Sequence, residues 1–571
     1  AQRSVSRLAA SKVRDRPRAL STARGHLIKA LELSEVVEGV ALGEILELRR
    51  ELIRLSVMLE EHTQVIAYVE EMLGVLDGLD DGEAWRSMRA EIHLDAAESS
   101  ELLVRPEDCR RHLDQATLWI EHPPQSHEAC RLAGRLRFLE GKLAFGTAHL
   151  SQAARWHEEA TPYLERSGAQ ALQAQNLLQL SKVLNRHNRS EDAMEVCLQA
   201  QQLSHALGDR AGEARAWELM GTYHVFQWDG ALAQPCFEKA AQLHHKTGNG
   251  LGAARMSFES GRVLGIHGPI DQALAQMLTS LKAIERYGKR RNHWSYARPI
   301  TQANLFLCNF DEVSRWMRWF LKQVKQGQLG KWVYISLYAY EAHYAQQQGY
   351  VNVTQRAIAQ MRDRLDPNNQ LSKNRLWSSY LHELAMLRNI GEYEAAEETY
   401  QRCWAIQYKG DDTAYVYFLL LERASLLYSM GRFDEIEPTL RQIPPEFTEM
   451  FCDGQSMLNV HWGKLRFWQG RHREACVHIE EAIAHCTARV HRSLLVRLYS
   501  LRSLIAHDLG EDPEPWLEPI RSIVSGKTIN TTCDIGQALF NLLTVMPDAV
   551  PVTLRDGREA KPDWGDTSDL G

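Results

Sequence analysis

Several things are missing from this sequence, and each absence removes a class of protein. No run of about 18 uncharged apolar residues occurs, so no helical membrane span is encoded. The first residues, AQRSVSRLAASKVRDRPRAL, are basic but have no apolar core, which excludes a secretory signal there. The absent initiator Met suggests a processed or excised chain, whose effector domain would lie outside it. The ten cysteines include no CxxC and no pair of close pairs. That spacing excludes a zinc ribbon and points to free thiols in a reducing, cytoplasmic setting. With 36 glycines and 18 prolines in 571 residues, the chain is neither collagen-like nor low-complexity. Neither sign of charge dominates: 66 Lys and Arg face 73 Asp and Glu, a formal net charge of -7. Such a balance carries no whole-molecule footprint for nucleic acid or an anionic membrane.

Motifs of catalysis are missing too. Ser525-Gly526-Lys527-Thr528 ends like a phosphate-binding loop, but Arg521 stands where that loop needs its first glycine. His382-Glu383 lacks the second histidine of a zinc protease. His472, Cys476, His478 and His485 form the richest His/Cys cluster, yet 478 points away from the face shared by 472 and 476. No Ser, His and Asp are set in a recognisable nucleophile turn. The expectation is a non-enzymatic chain with no catalytic residue, no metal and no cofactor. Lys289-Arg290-Arg291-Asn292-His293, followed by Trp294 and Tyr296, is the densest basic run. It reads as a solvated inter-helix loop, with an acidic protein partner as the next alternative and nucleic acid after that.

What is present is a beat of about forty residues. Small or branched residues recur at Ala153, Ala193, Ala233, Ala273 and Val313, then at Thr354, Ala396, Ile436 and Ala475, with Pro515 as a possible further member. Gly349, Gly391, Gly431, Gly470 and Gly510 are spaced by 42, 40, 39 and 40. A fixed period in this range marks a solenoid, whose units cannot bury their apolar faces alone and so must stack. RLRFLEGKLAFGTAHLSQAARWHEEA reads as helix, short turn, helix, with Gly141 and Ala153 small where the two must approach. The recurring glycines suit the left-handed residue that ends a helix.

The best-formed unit, ARAWELMGTYHVFQWDGALAQPCFEKAAQL, places Trp217, Gly221, Ala233, Phe237 and Ala240 in an order that resembles the tetratricopeptide repeat. Gly463, Gly470, Ala475, Ile479 and Ala482 repeat the match. Trp228 departs from it, standing at a turn position where glycine is usual. The family unit is commonly 34 residues, so helices or linkers are longer here, as in sensor arms of signal-transduction ATPases and some bacterial regulators. The resemblance implies an all-α fold, a right-handed solenoid of ten to twelve antiparallel helix pairs. Its expected parts are a basic lead-in (1–19), divergent helical repeats (20–124), the clear array (125–515), a C-terminal capping region (516–550) and a flexible tail (551–571).

The resemblance also implies that the first helix of each pair lines a groove. Candidate groove residues are then Arg215, Glu218, Arg255, Phe258, Arg262, Arg298, Gln302 and His343, a polar and basic run suited to an acidic or C-terminal segment of another protein. A second, apolar candidate comprises Phe418, Tyr428, Phe467 and Trp468. The function expected is a protein- or peptide-binding scaffold or regulatory adaptor, without membrane or nucleic-acid partners. The alternatives are a ligand-sensing arm of a larger signalling ATPase or transcriptional regulator, and a helical effector with an unrecognised enzymatic site.

Overall fold

The computed structural model describes residues 16–34, 41–79, 82–187, 189–227, 229–287, 294–326, 331–366, 370–406, 414–445 and 454–562. The basic run 289–293 and Trp228 lie outside these residues. Two compact units are formed, one of residues 1–223 with 246–248, the other of 224–245 with 249–571. This division falls inside the repeat array, where the sequence shows no break in rhythm.

Among the described residues there are 26 α-helices, and within each unit successive helices pack in pairs. The first unit contains α1 (Arg16–Ser34), α2 (Leu42–Met58), α3 (His62–Leu76), α4 (Glu83–Leu102), α5 (Pro106–Trp119), α6 (His127–Gly146), α7 (Leu150–Ser167), α8 (Gln170–Arg186) and α9 (Ser190–Ala206). Helices α10 (Arg210–Phe226) and α11 (Gly230–Lys246) follow. The second unit continues with α12 (Gly250–His267), α13 (Ile270–Arg286), α14 (Trp294–Phe306), α15 (Phe310–Gln326), α16 (Lys331–Gln347), α17 (Val351–Arg362), α18 (Gln370–Ile390) and α19 (Tyr393–Ala405). It ends with α20 (Ala414–Ser429), α21 (Ile436–Leu440), α22 (Gly454–Trp468), α23 (His472–Ala488), α24 (Arg492–Leu509), α25 (Glu514–Val524) and α26 (Asp534–Val545). Two three-residue strands, β1 (Thr528–Asn530) and β2 (Thr553–Arg555), pair in parallel. The architecture is an all-α helical-repeat solenoid.

Packing explains the beat. Ala153, Ala193, Ala233, Ala273, Val313, Thr354, Ala396, Ile436 and Ala475 are each no more than 2% exposed. They sit near the start of the second helix of each pair, where it crosses the first. Larger side chains there would hold the helices apart. Pro515 breaks the series: it is exposed, and Leu517 takes the buried place. The first helices are small at the matching points. A Cβ on Gly141 would lie 2.6 Å from the His157 ring, and one on Gly463 would lie 2.5 Å from Ile479 Cδ1.

In the first unit, neighbouring first helices are also cross-linked by charge at one-repeat spacing. Arg131 reaches Glu91 at 3.0 Å, Arg135 reaches Asp95 at 2.6 Å and Glu98 at 2.7 Å, and Lys142 reaches Glu101 at 2.7 Å. Burial pushes the Glu91 carboxyl up, but Arg54 and Arg131 outweigh it and hold the group below its ordinary range.

The C-terminal region of the second unit is tied down beyond the expected cap and tail. Residues 551–562 are not free: β2 lies beside β1, and the Gly557 carbonyl accepts from the Val351 amide at 3.3 Å. Side chains from this region donate to backbone carbonyls where first helices end. Lys527 Nζ reaches Cys308 O at 2.9 Å, and Asn530 Nδ2 reaches Gln348 O at 2.6 Å. Thr532 Oγ1 reaches Gly349 O at 2.6 Å, and Arg558 Nη2 reaches Ile390 O at 3.1 Å. Arg489 does the same one turn earlier, at Gly265 O, 2.9 Å. The last carbonyls of a helix have no partner within it, so these donors satisfy groups the repeats leave open. We call this stretch the clasp. Below it, Cys308, Val496, Leu517, Ile520, Ile529, Cys533, Leu539 and Val550 form one buried apolar cluster.

Candidate binding surface

Within the second unit the first helices of consecutive pairs approach one another: the Tyr344 hydroxyl of α16 donates to the Arg298 carbonyl of α14 at 2.9 Å. There α14, α16 and α18 bring six side chains together. His343 Nε2 and Gln302 Oε1 are 2.9 Å apart, on helices one repeat removed. The His343 ring faces that of His382, centroids 5.0 Å apart. Tyr340 lies between two guanidinium groups, Arg298 at 5.2 Å and Arg375 at 5.9 Å from its ring centroid. Such stacking favours a cation over the negative face of the ring.

Both imidazoles are neutral at pH 7. Burial is the main cause in each. His343 is held well below its ordinary value by burial, then by His382 and Arg298; His382 falls to about 4 by burial, then by Arg375. The site therefore presents two fixed cations and two neutral, hydrogen-bonding rings. No carboxylate among the described residues pairs with Arg298 or Arg375.

Of the eight basic-groove candidates, three meet here: Arg298, Gln302 and His343. Phe258 does not belong to any surface. It is 1% exposed and packs edge-on against Tyr296 at 4.6 Å, because its position on α12 turns toward the next first helix. Arg255 is exposed and bonded to the Tyr296 hydroxyl, and Arg262 is tied to Glu259 at 2.7 Å. Arg215 is exposed on α10 and Glu218 is half-buried there; both belong to the first unit. Tyr340 and Arg375 escape the sequence reading, and His382 enters it only as an incomplete zinc-protease motif, not as a groove residue. His382 stands 39 residues after His343, so the repeat period itself marks it.

Of the apolar candidates, Tyr428 and Trp468 meet, Phe418 shares the cluster of Tyr428, and Phe467 packs elsewhere. Trp468 is 55% exposed, stacks on Phe433 at 4.8 Å and meets Tyr428 at 5.9 Å. Phe418 is drawn into the apolar clusters between α18, α20 and α22, and Phe467 packs edge-on against His472. The His/Cys cluster disperses: His478 faces Asn459, and His485 bonds Ser456 at 2.9 Å. Lys527 of the loop-like SGKT is the clasp lysine described above.

The fold is that of tetratricopeptide-like helical-repeat proteins. It is similar to the crystal structure of the apo form of RapI, with a TM-score of 0.52 and 11% identity over 64% of this chain and 98% of that one. It is also similar to a Rap protein complexed with competence and sporulation factor (TM-score 0.45, 12% identity, 64% and 98% covered). A further similar structure is BtubC from P. vanneervenii (TM-score 0.32, 13% identity, 40% and 87% covered). No protein-family model and no curated protein matches the sequence.

Proposed function

We propose that the chain is a non-catalytic regulatory scaffold that receives a segment of another protein on the first-helix face of its second unit. One observation carries this reading: Arg298 and Arg375 flank Tyr340 without a carboxylate partner among the described residues. Many other arginines of the fold are paired, as Arg262 is with Glu259 and Arg466 with Glu437. A guanidinium left unpaired beside aromatic and neutral imidazole rings suits a carboxylate brought by a partner. The segment expected is acidic or ends in its own carboxylate, and the setting expected is the cytoplasm.

The test is affinity capture by the full chain and by an R298E/R375E double variant, followed by mass identification of what elutes. Each charge-assisted hydrogen bond contributes about 1.5–3 kcal/mol before association costs. The variant should keep its helical circular dichroism and lose the partner. Recovery of the same partner in the same yield would end the proposal.

A further inference from the structure

A second group of charges lies farther along the same unit, on residues that the binding surface above does not use. Arg388 comes from the end of α18, Glu422 from α20, His461 and Lys464 from α22, Arg497 from α24, and Asp534 from the first residue of α26. Arg388 Nη2 bonds Asp534 Oδ1 at 2.9 Å and stands 3.4 Å from Glu422 Oε2. Arg497 Nη1 stands 3.5 Å from Asp534 Oδ2. These two arginines and two carboxylates balance one another.

Lys464 is outside that balance. Its ammonium makes no hydrogen bond or ion pair to a carboxylate or carbonyl among the described residues; it stands 5.3 Å from the Tyr428 ring centroid, with Asp534 and Glu422 near enough to act on it by charge alone. Arg388, whose side chain is 9% exposed, also has a buried Nε without an acceptor. The side chains of Asp534, Arg497 and Glu422 are 21%, 25% and 26% exposed, so solvent reaches the group. Glu422 Oε2 is likewise buried without a hydrogen bond, so what the group lacks is charge: three cations stand against two carboxylates, and Lys464 is the cation without an ion pair.

We propose that this recess is an anion site for a singly charged carboxylate, held by Lys464 with Arg388 and Arg497, beside the carboxylate that Asp534 already supplies. An oxyanion there gives Lys464 its missing partner and makes three cations face three anions. The proposal is independent of Arg298 and Arg375.

Binding is coupled to a proton. Without the anion, burial, then Arg497, lowers Lys464 to about 7; Arg388 adds to this, and Asp534 and Glu422 oppose it. His461, one turn before it on α22, is held well below its ordinary value by burial, then by Lys464, and so adds no charge. Tyr428 and Glu422 face the ammonium from α20, Arg388 from α18, Arg497 from α24 and Asp534 from α26. The bound anion favours the ammonium form, so affinity falls as pH rises above about 7.

Acetate is the probe, because it does not itself titrate between pH 6.5 and 8.5. The melting temperature of the full chain is measured in sodium acetate and in sodium chloride of equal ionic strength. A ligand that binds only the folded state raises that temperature. The expected result at pH 6.5 is an acetate-specific rise of about 1–2 °C. It should shrink at pH 8.5, vanish in K464M and grow in D534N, which removes the competing negative charge of Asp534. An equal acetate effect in parent and K464M, or none in the parent, overturns the proposal. Should K464M fail to fold, D534N and the pH comparison decide alone. The source of the carboxylate is read from capture experiments: loss of a protein partner by K464M marks an acidic side chain of that partner, and unchanged capture marks a free small carboxylate.

Discussion

The Thr532 hydroxyl donates to the Gly349 carbonyl across 2.6 Å, joining residues 183 apart in sequence. Gly349 has φ +74, and a Cβ there would meet Thr532 Oγ1 at 2.7 Å. The same glycine therefore ends a helix and leaves room for the clasp.

Weakening the clasp at its centre should loosen the second unit. Asn530 donates to Gln348 O at 2.6 Å and accepts from Arg555 Nε at 2.7 Å, and it is buried. Asn530→Ala leaves a carbonyl and a guanidinium without partners and should cost about 2 kcal/mol in a urea titration. Amide exchange should quicken at Val351, whose donor bond to Gly557 depends on the clasp. An unchanged exchange rate there would count against the role assigned to it.

Close helix contact should make Gly463 intolerant of even one methyl group. Gly463→Ala forces its Cβ toward Ile479 Cδ1 at 2.5 Å and should destabilise by about 1–3 kcal/mol. Ile479→Val removes the nearest atom, so the double variant should recover part of the loss. Additive losses would show that the two residues do not compete for the same space.

Lys464 should leave a signature in stability against pH. Its folded value, about 7, lies below the 10.5 of an exposed lysine, so between those limits the unfolded chain binds more protons. Stability should then rise with pH across that window, by at most about 1.4 kcal/mol per unit from this group. K464M should flatten the slope there, as measured by urea midpoints at successive pH values.

His157 should act on the acid side in the first unit. It is fully buried, its Nδ1 lies 2.8 Å from Asn176 Oδ1, and burial lowers it to about 4 against a partial rise from Asn176. The unfolded chain binds the extra proton between pH 6.5 and 4, so stability should fall as pH drops through that range. His157→Asn should reduce the steepness of that fall, and an unaltered slope would remove His157 from the account.

The repeat was legible because it is local physics written many times. Ala153 and its successors are small for one reason in every pair, and Gly349, Gly391, Gly431, Gly470 and Gly510 all take positive φ, from 70 to 85. Cys308 and Val490 reach φ 58 and 57 without being glycine, so a glycine count misses those turns. The surface was only partly legible. Arg255, Phe258 and Arg262 share one nominal stripe of α12, yet its edges face different neighbours: solvent, Tyr296 and Glu259. A cap over 516–550 was expected from the lost beat, but the bonds of the clasp were not legible, since their acceptors are backbone carbonyls that no residue type announces.

The clasp also sets a timetable. Gly349 is synthesised long before Thr532, and at 5–20 residues per second the intervening 183 residues take about 10–40 s. During that interval the carbonyls of Cys308, Gln348, Gly349 and Ile390 have only water to satisfy them, and the apolar side of Val496 waits for Ile529 and Leu539. Pairs such as α16 with α17 can form as they emerge, but the second unit is completed only when its last strand has left the ribosome.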